Sequence, residues 1–196
     1  MPGLALLILI TVALGFEFIN GFHDTANAIA VSIHTGALSA GRAVALAAVM
    51  NLLGAFASEN VARTISGELI SAAIDEYTII AALIAAIIWN LFTWYLGMPA
   101  SSSHALIGAL IGASVVFTGS TDAVLWKNLV LKVVLPLFLC PPAGFAAGAL
   151  AALFIKKENR IMQIVASAFV AFSHGENDAQ KTMGIITLAL AGRGIL

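Results

Sequence analysis

Charged residues and cysteine are both scarce in this sequence of 196 residues. Only 10% of the residues are charged, against about 25% in an average soluble domain, so a soluble domain is excluded. The formal net charge of −1 leaves no basic surface for nucleic acid. The single cysteine, Cys140, excludes a disulfide framework and a cysteine-based metal site. With 61% hydrophobic residues and a mean hydropathy of +1.02, the chain is predicted to be an integral membrane protein.

Two polar octets interrupt the apolar sequence at related positions. GFHDTANA at 21–28 and GENDAQKT at 175–182 match at a constant offset, which pairs Gly21 with Gly175 and Asp24 with Asp178. Two polar segments in similar apolar surroundings indicate an internal duplication. In membrane proteins such repeats are typical of secondary transporters, whose binding site lies between the repeats. We therefore predict an all-α, polytopic transmembrane helical bundle with broken helices and inverted repeats.

Apolar segments of near-membrane length predict the domain organisation. Residues 1–160 are expected to form a first transmembrane repeat, and residues 161–196 the opening of a second, inverted repeat that is truncated. The segment 4–34 is longer than a helix needs to cross about 30 Å of hydrocarbon, so we predict a broken helix at 20–28. The segment 99–118, opened by proline and three serines, is predicted to be a half-helix or re-entrant element.

The charged loops predict the orientation. Lysine and arginine are concentrated at 156–160, so this loop is expected in the cytoplasm. The acidic connection at 59–76 would then lie outside. Counting the serine-led segment as one crossing gives an odd number of crossings before Lys156. An odd number places the N-terminus outside and inverts the second repeat.

Ionisable side chains inside a membrane are costly and mark functional sites by default. Asp24 and Asn27 lie three residues apart, on one face of a helix that would start at Thr25. Carboxylate and amide oxygens suit Na⁺, and a carboxylate also suits proton exchange. The alternative is that Asp24 only caps the helix after the break, but a buried ionised cap would need further partners.

Three consecutive serines, Ser101, Ser102 and Ser103, precede a predicted helix at 105–118. Hydroxyl groups and free backbone N–H groups at the positive end of a helix dipole bind anions. One serine would serve as an ordinary cap, but three exceed that need. Because the serines favour an anion and the acidic residues favour a cation, the sequence predicts cation-coupled anion transport.

The remaining titratable residues at membrane depth are less informative. The histidines are slightly better explained as structural residues than as proton relays. Glu17 is expected to face the interior of the bundle, and the sequence assigns it no role. The histidines concerned are His23, His34, His104 and His174.

Three motifs resemble those of the inorganic phosphate transporter (PiT) family and stand in that family's order. They are NGFHDTANA at 20–28, PASSSH at 99–104 and SHGEND at 173–178. The similarity runs over essentially the whole chain. It implies a phosphate symporter driven by Na⁺ or H⁺, without a further cofactor, that works by alternating access in the plasma (inner) membrane of a prokaryote.

The resemblance also implies two neighbouring sets of ligands. The phosphate-binding set comprises Thr25, Ser101, Ser102, Ser103 and Lys181. The set for cation binding or proton coupling comprises Asp24, Asn27, Asn177 and Asp178. If the coupling ion is Na⁺, its ligands would be Asp24, Asn27 and Asp178.

Two departures from the family's pattern bear on function. Lys181 stands at the second-repeat position that matches Asn27, where many family members have asparagine. Its ammonium group would replace a bound sodium or pair with phosphate or Asp178, which favours proton coupling or fewer sodium ions. A second serine/threonine–histidine element, expected after the last motif, is missing. The rest of the second repeat, or another copy of the chain in a homo-oligomer, would then complete the site.

Two other classes of function remain as alternatives. One is a phosphate-binding membrane sensor or channel-like protein without coupled transport, although Asp24, Asp178 and Lys181 argue mildly against a simple anion pore. The other is an intramembrane enzyme. We do not expect an enzyme, because sequence neighbours such as Ser103 and His104 do not establish a nucleophile–base geometry and no HExxH motif is present.

Overall fold

The computed structural model describes residues 3–71, 74–155 and 159–195, and these residues form helices joined by short turns. No strand occurs among them, and Ile70 and Val124 form one isolated bridge. The α-helices of the described residues are α1 Leu4–His34, α2 Ala40–Ala55, α3 Asn60–Arg63, α4 Glu76–Tyr95, α5 Ser102–Thr118, α6 Trp126–Leu129, α7 Leu135–Phe154 and α8 Arg160–Gly192. Short π-helical segments, Thr64–Glu68 and Val130–Val134, extend α3 and join α6 to α7.

Several helical segments are long and apolar enough to cross a membrane. Among the described residues these are Leu4–His34, Glu76–Tyr95 and Trp126–Phe154. Ala40–Ala55 and Asn60–Glu68, bent by 61° relative to each other, form a fourth span if the pair is counted as one. The predicted all-α transmembrane bundle is therefore confirmed. Helix α5, with 17 residues, lies within the serine-led segment 99–118, whose half-spanning or re-entrant character stays a prediction.

The break predicted at 20–28 is not found, because α1 continues through this segment. Gly21 keeps a helical backbone, and the second octet, 175–182, is likewise continuous in α8. Asp24, Asp178, Gln180, Lys181 and Thr182 find partners on neighbouring helices, so the backbone does not have to open to satisfy them. At about 1.5 Å per residue α1 is about 46 Å long, close to the thickness of a bilayer with its headgroup regions, so the ends of the helix extend beyond the hydrocarbon core. The bend falls between α2 and α3 instead.

Helix α8 packs against α1 and α2, while α4 packs against α1 and α5. Phe16, Leu83, Leu106 and Ile185 are fully buried in the apolar cluster where α1, α4, α5 and α8 meet. Helices α2 and α8 approach backbone to backbone, since a Cβ atom on Gly175 would lie 2.1 Å from the carbonyl oxygen of Asn51. Only glycine permits this approach, which brings the polar side chains of α8 close to its neighbours.

Helix α7 differs from the other long helices because none of its residues is buried in the described part of the chain. Pro136 lies in its first turn, and the helix runs through Pro141 and Pro142. Prolines are tolerated in membrane helices where the freed backbone groups are satisfied locally.

The predicted boundary between 1–160 and 161–196 falls at the start of α8. This helix packs against α1 and α2 of the predicted first repeat. Lys156, Lys157 and Glu158 of the predicted cytoplasmic loop lie outside the described residues. The division into repeats, their inverted relation and the orientation therefore stay predictions.

Candidate functional site

A series of polar contacts links α1, α5 and α8. The hydroxyl of Ser102 donates a hydrogen bond to Asp24 Oδ2 at 3.0 Å and accepts one from Lys181 Nζ at 2.8 Å. The same ammonium nitrogen lies 2.9 Å from Asp178 Oδ1. Side chains from three separate sequence segments therefore meet in one place. We call Asp24, Ser102, Asp178 and Lys181 the polar cluster.

The start of α5 places Ser102 in the polar cluster. Gly97 has a φ of +65° and turns the chain after α4. Ser101 then caps α5, because its hydroxyl accepts a hydrogen bond from the backbone N–H of His104 at 3.3 Å. Ser102 is consequently the first residue of the helix and lies at the positive end of its dipole. The N-terminal end of α5, which favours an anion, therefore lies next to the carboxylates of Asp24 and Asp178.

Lys181 supplies a buried positive charge to the polar cluster, with 1% of its side chain exposed. It follows Asp178 by three residues on α8, so both side chains project from one face. A buried ammonium group is stable only with charged or hydrogen-bonding partners, which Asp178 and Ser102 provide. The chain therefore carries its own cation next to the two carboxylates.

Asp178 has further partners from two directions. Asn20 Nδ2 on α1 donates a hydrogen bond to Asp178 Oδ2 at 3.1 Å. His174 Nε2, one turn earlier on α8, lies 3.1 Å from the same oxygen. On its other side, the His174 ring contacts Asn51 of α2, with 2.6 Å between Nδ1 and Oδ1. These contacts fix the Asp178 carboxylate between α1 and α8.

Two of the three predicted Na⁺ ligands, Asp24 and Asp178, lie close enough together to bind one cation. Asp24, His174 and Asp178 each bring a ligand-type atom to within 4.8 Å of the others. Asn27, the third predicted ligand, is instead exposed. Residues four apart on α1, such as Asp24 and Ala28, lie on the face that contacts the neighbouring helices. Asn27 is rotated by about 100° from Ala28 around the helix axis.

The other predicted ligands lie around the polar cluster. Thr25 donates its hydroxyl hydrogen to the carbonyl oxygen of Gly21 within α1. Asn177 is exposed and donates to the carbonyl oxygen of Ser173 at 2.8 Å. Ser101 is occupied as the cap of α5. None of these three side chains forms a hydrogen bond to a side chain of the cluster among the described residues.

A groove of about 710 Å³ runs beside the polar cluster. Its lining includes Ser103, His104, Lys132, Asn177 and Lys181. Both lysines are paired with carboxylates, Lys132 with Glu68 and Lys181 with Asp178. The groove gives Ser103 and Asn177 a place next to the cluster.

Sequence reasoning missed several residues near the polar cluster. Asn20 and Gln180 are fully buried, and Gln180 accepts hydrogen bonds from backbone N–H groups of α3. Thr182 donates a hydrogen bond to Glu17 Oε2 at 2.7 Å, so Glu17 is directed towards α8. The usable signal was the spacing of Glu17, Asn20 and Asp24, which sets one polar side chain per turn on one face of α1.

The apolar helices and the ionisable groups enclosed between them define a helical integral membrane protein with a polar cluster between its helices. Residues 20–161, which make up most of the chain, match the sequence profile of the phosphate transporter family. The chain belongs to that family.

Individual relatives agree with this assignment. A probable low-affinity inorganic phosphate transporter of Bacillus subtilis (strain 168) is 46% identical over 207 residues, which cover 95% of this chain and 60% of the relative. One of Mycobacterium tuberculosis (strain ATCC 25618 / H37Rv) is 44% identical over 202 residues, which cover 96% of this chain and 48% of the relative. This chain thus spans about half the length of the curated relatives it matches.

The fold resembles a solved structure of "the sodium-dependent phosphate transporter". The TM-score is 0.82 at 21% sequence identity, and the match covers 99% of this chain and 70% of that chain. The resemblance inferred from the three motifs is confirmed, as is the helical membrane fold. The relatives are named as transporters, which confirms the expectation that the chain is not an enzyme.

Proposed function

We propose that this chain forms part of the transport path of a secondary transporter that moves inorganic phosphate by alternating access, with Na⁺ or H⁺ as the coupling ion. The observation that supports it most directly is the link from Asp24 through Ser102 to Lys181 and Asp178. Anion-binding and cation-binding groups share this one buried place, as a symporter of an anion and a cation requires.

In this proposal phosphate binds at the N-terminal end of α5. The hydroxyls of Ser102 and Ser103, the backbone N–H groups of the first turn and the ammonium group of Lys181 are donors that suit phosphate oxygens. Ser101 and Thr25 join them only if their hydroxyls leave the helix contacts they now make.

Phosphate and the two carboxylates compete for the same donors. If phosphate takes the hydroxyl of Ser102 and the ammonium group of Lys181, Asp24 loses its 3.0 Å hydrogen bond and Asp178 its 2.9 Å ion pair. Asp24 keeps the ring of His23, and Asp178 keeps Asn20 and His174. A carboxylate at this depth that has lost one of its donors is nevertheless less stable as an anion. A cation or proton that arrives with phosphate removes this penalty, so the two ligands favour each other's binding.

Lys181 bears on the choice of coupling ion. Its ammonium group already lies where it neutralises Asp178, which supports proton coupling or coupling to fewer sodium ions. We expect Lys181→Asn to increase the Na⁺ dependence of phosphate uptake, because a sodium ion would then have to replace the lost charge. Lys127→Asn, at an exposed lysine of α6 that does not line the groove, is the control. Equal, steep Na⁺ dependence in the wild type and Lys181→Asn would contradict this role.

Uptake of labelled phosphate into proteoliposomes tests the function itself. A Na⁺ gradient and a proton gradient are imposed separately, with this chain and with the full-length open reading frame in parallel. Accelerated exchange of internal against external phosphate is the sign of a carrier. Uptake without such counterflow would favour the channel-like alternative, and no phosphate binding or uptake by either preparation would refute the proposal.

We further propose that the site is completed by additional helices, from a longer chain or from a second copy in a homo-oligomer. The share of the relatives' length that this chain spans supports this proposal, as does the unburied helix α7. The bacterial relatives support the plasma membrane of a prokaryote. The proposed orientation, with the N-terminus outside and the loop 156–160 in the cytoplasm, rests on the charges of the loops. Uptake by the chain alone would favour completion by copies of itself.

A further inference from the structure

Glu17 is an ionisable residue that the proposed phosphate site does not use. It lies on α1, about 20 Å from the first residue of the helix at 1.5 Å per residue, and is half-buried. Its carboxylate accepts a hydrogen bond from Thr182, which directly follows Lys181 on α8. Within the described residues it forms no ion pair, whereas Asp178 is paired with Lys181.

An unpartnered acceptor lies next to Glu17 on the same face of α1. Asn20 is fully buried, and its Oδ1 has no hydrogen-bond partner among the described residues. Its Nδ2 donates to Asp178, whose carboxylate can only accept, so the amide oxygen is the end left over. A buried acceptor without a donor is costly, and so is a carboxylate without a cation. A positive charge or a proton at this place would remove both costs.

We propose that Glu17 is a proton-coupling residue, which takes up a proton from one side of the membrane and releases it to the other during phosphate transport. This inference rests on the proposed function and places the coupling proton outside the polar cluster. A protonated Glu17 is neutral, and its O–H group supplies the donor that Asn20 Oδ1 lacks, one turn away. Three oxygens, from Glu17, Asn20 and Thr182, are few for a hard metal cation, which prefers six or more.

The charges around Glu17 come mainly from one element. His174, Asp178 and Lys181 of α8 act on it through space. The other helices packed against α1 carry their titratable groups at their ends. These groups are Arg42 of α2 and Glu76, Tyr77 and Tyr95 of α4.

Helix α8 connects this proton site to the polar cluster. Thr182 contacts Glu17, while the preceding residue, Lys181, contacts Ser102 and Asp178. When phosphate draws Lys181 away from Asp178, the negative charge near Glu17 is less well compensated. Protonation of Glu17 then becomes more favourable, which links proton uptake to phosphate binding.

The test compares two phosphate fluxes in the preparation that takes up phosphate. One flux is accumulation driven by a pH gradient, and the other is exchange at equal pH on both sides. Glu17→Gln keeps the size of the side chain but cannot release a proton. Glu59→Gln makes the same change at an exposed glutamate paired with Arg63 and is the matched control.

We expect Glu17→Gln to abolish gradient-driven accumulation, which for one coupled proton reaches about tenfold per pH unit. The rate of phosphate exchange should stay within about twofold of the wild-type rate and should no longer depend on pH. Loss of structure alone would not produce this change. Full gradient-driven accumulation by Glu17→Gln would overturn the inference, and so would a wild type driven by Na⁺ alone. Equal loss of both fluxes, with Glu17→Asp failing to restore them, would also overturn it. Failure of the wild type to transport phosphate at all would refute the proposed function instead.

Discussion

Helices α7 and α8 are adjacent in the chain but are buried in opposite ways. Helix α7 is almost entirely apolar, yet none of its residues is buried among the described residues. Helix α8 carries charged and amide side chains, and its buried residues include Asp178, Gln180, Lys181 and Thr182. In lipid, apolar side chains gain little by leaving the hydrocarbon, so hydrophobicity does not drive helices together. Small residues and polar contacts decide which helices pack, and α8 has both.

The largest expected effect concerns the buried charge of α8. Lys181→Met should destabilise the protein by about 3–5 kcal/mol, because it leaves Asp178 buried without its cation. Lys132→Met, on the segment leading into α7, should cost less than about 1 kcal/mol, since the Lys132–Glu68 pair is partly exposed. The measurement is the loss of monodisperse protein in detergent after heating.

A second variant separates lost pairing from lost packing. Asp178→Asn combined with Lys181→Met should recover much of the stability, because the orphaned carboxylate is then neutral. If Lys181→Met alone is as stable to heating as the wild type, the buried ion pair contributes nothing to stability. Buried charge would then not explain why α8 is packed and α7 is not.

The sequence predicted the members of the polar cluster but not the geometry around them. Asp24, Ser102, Asp178 and Lys181 were all identified in advance, because polar groups inside apolar segments are rare enough to be noticed. Sequence patterns do not specify how a helix is rotated against its partner. The structure places Asn27 and Asn177 at exposed positions, with Asn177 in the lining of the groove, and their role as ligands stays a prediction.

The missed break has a related cause. The length of segment 4–34 and the polar residues within it predict a break at 20–28, because partners on other helices cannot be seen in a sequence. In the structure Asp24 reaches Ser102 on α5, and Asn20 reaches Asp178 on α8. Because Asp24 already has a hydrogen-bond partner, the helix can remain unbroken.

An intermediate effect is expected where α8 meets α2. Gly175→Ala should destabilise the protein by about 1–3 kcal/mol, because the added Cβ atom would lie 2.1 Å from the carbonyl oxygen of Asn51 and the two backbones must separate. Gly148→Ala on α7, where a Cβ atom meets nothing within 4 Å, should be nearly neutral. Equal losses in the two variants, measured by the same heating assay, would show that α7 is packed as tightly as α8.

The smallest expected effect concerns a single polar contact between α1 and α8. The hydroxyls of Ser32 and Ser167 are 2.6 Å apart and buried. Ser32→Ala should cost about 0.6 kcal/mol, the typical value of a hydrogen bond between membrane helices. Ser39→Ala, at an exposed serine that makes no capping bond, is the control and should change nothing. A cost well above 2 kcal/mol would mean that hydroxyl contacts, rather than the charges and glycines of α8, dominate its packing.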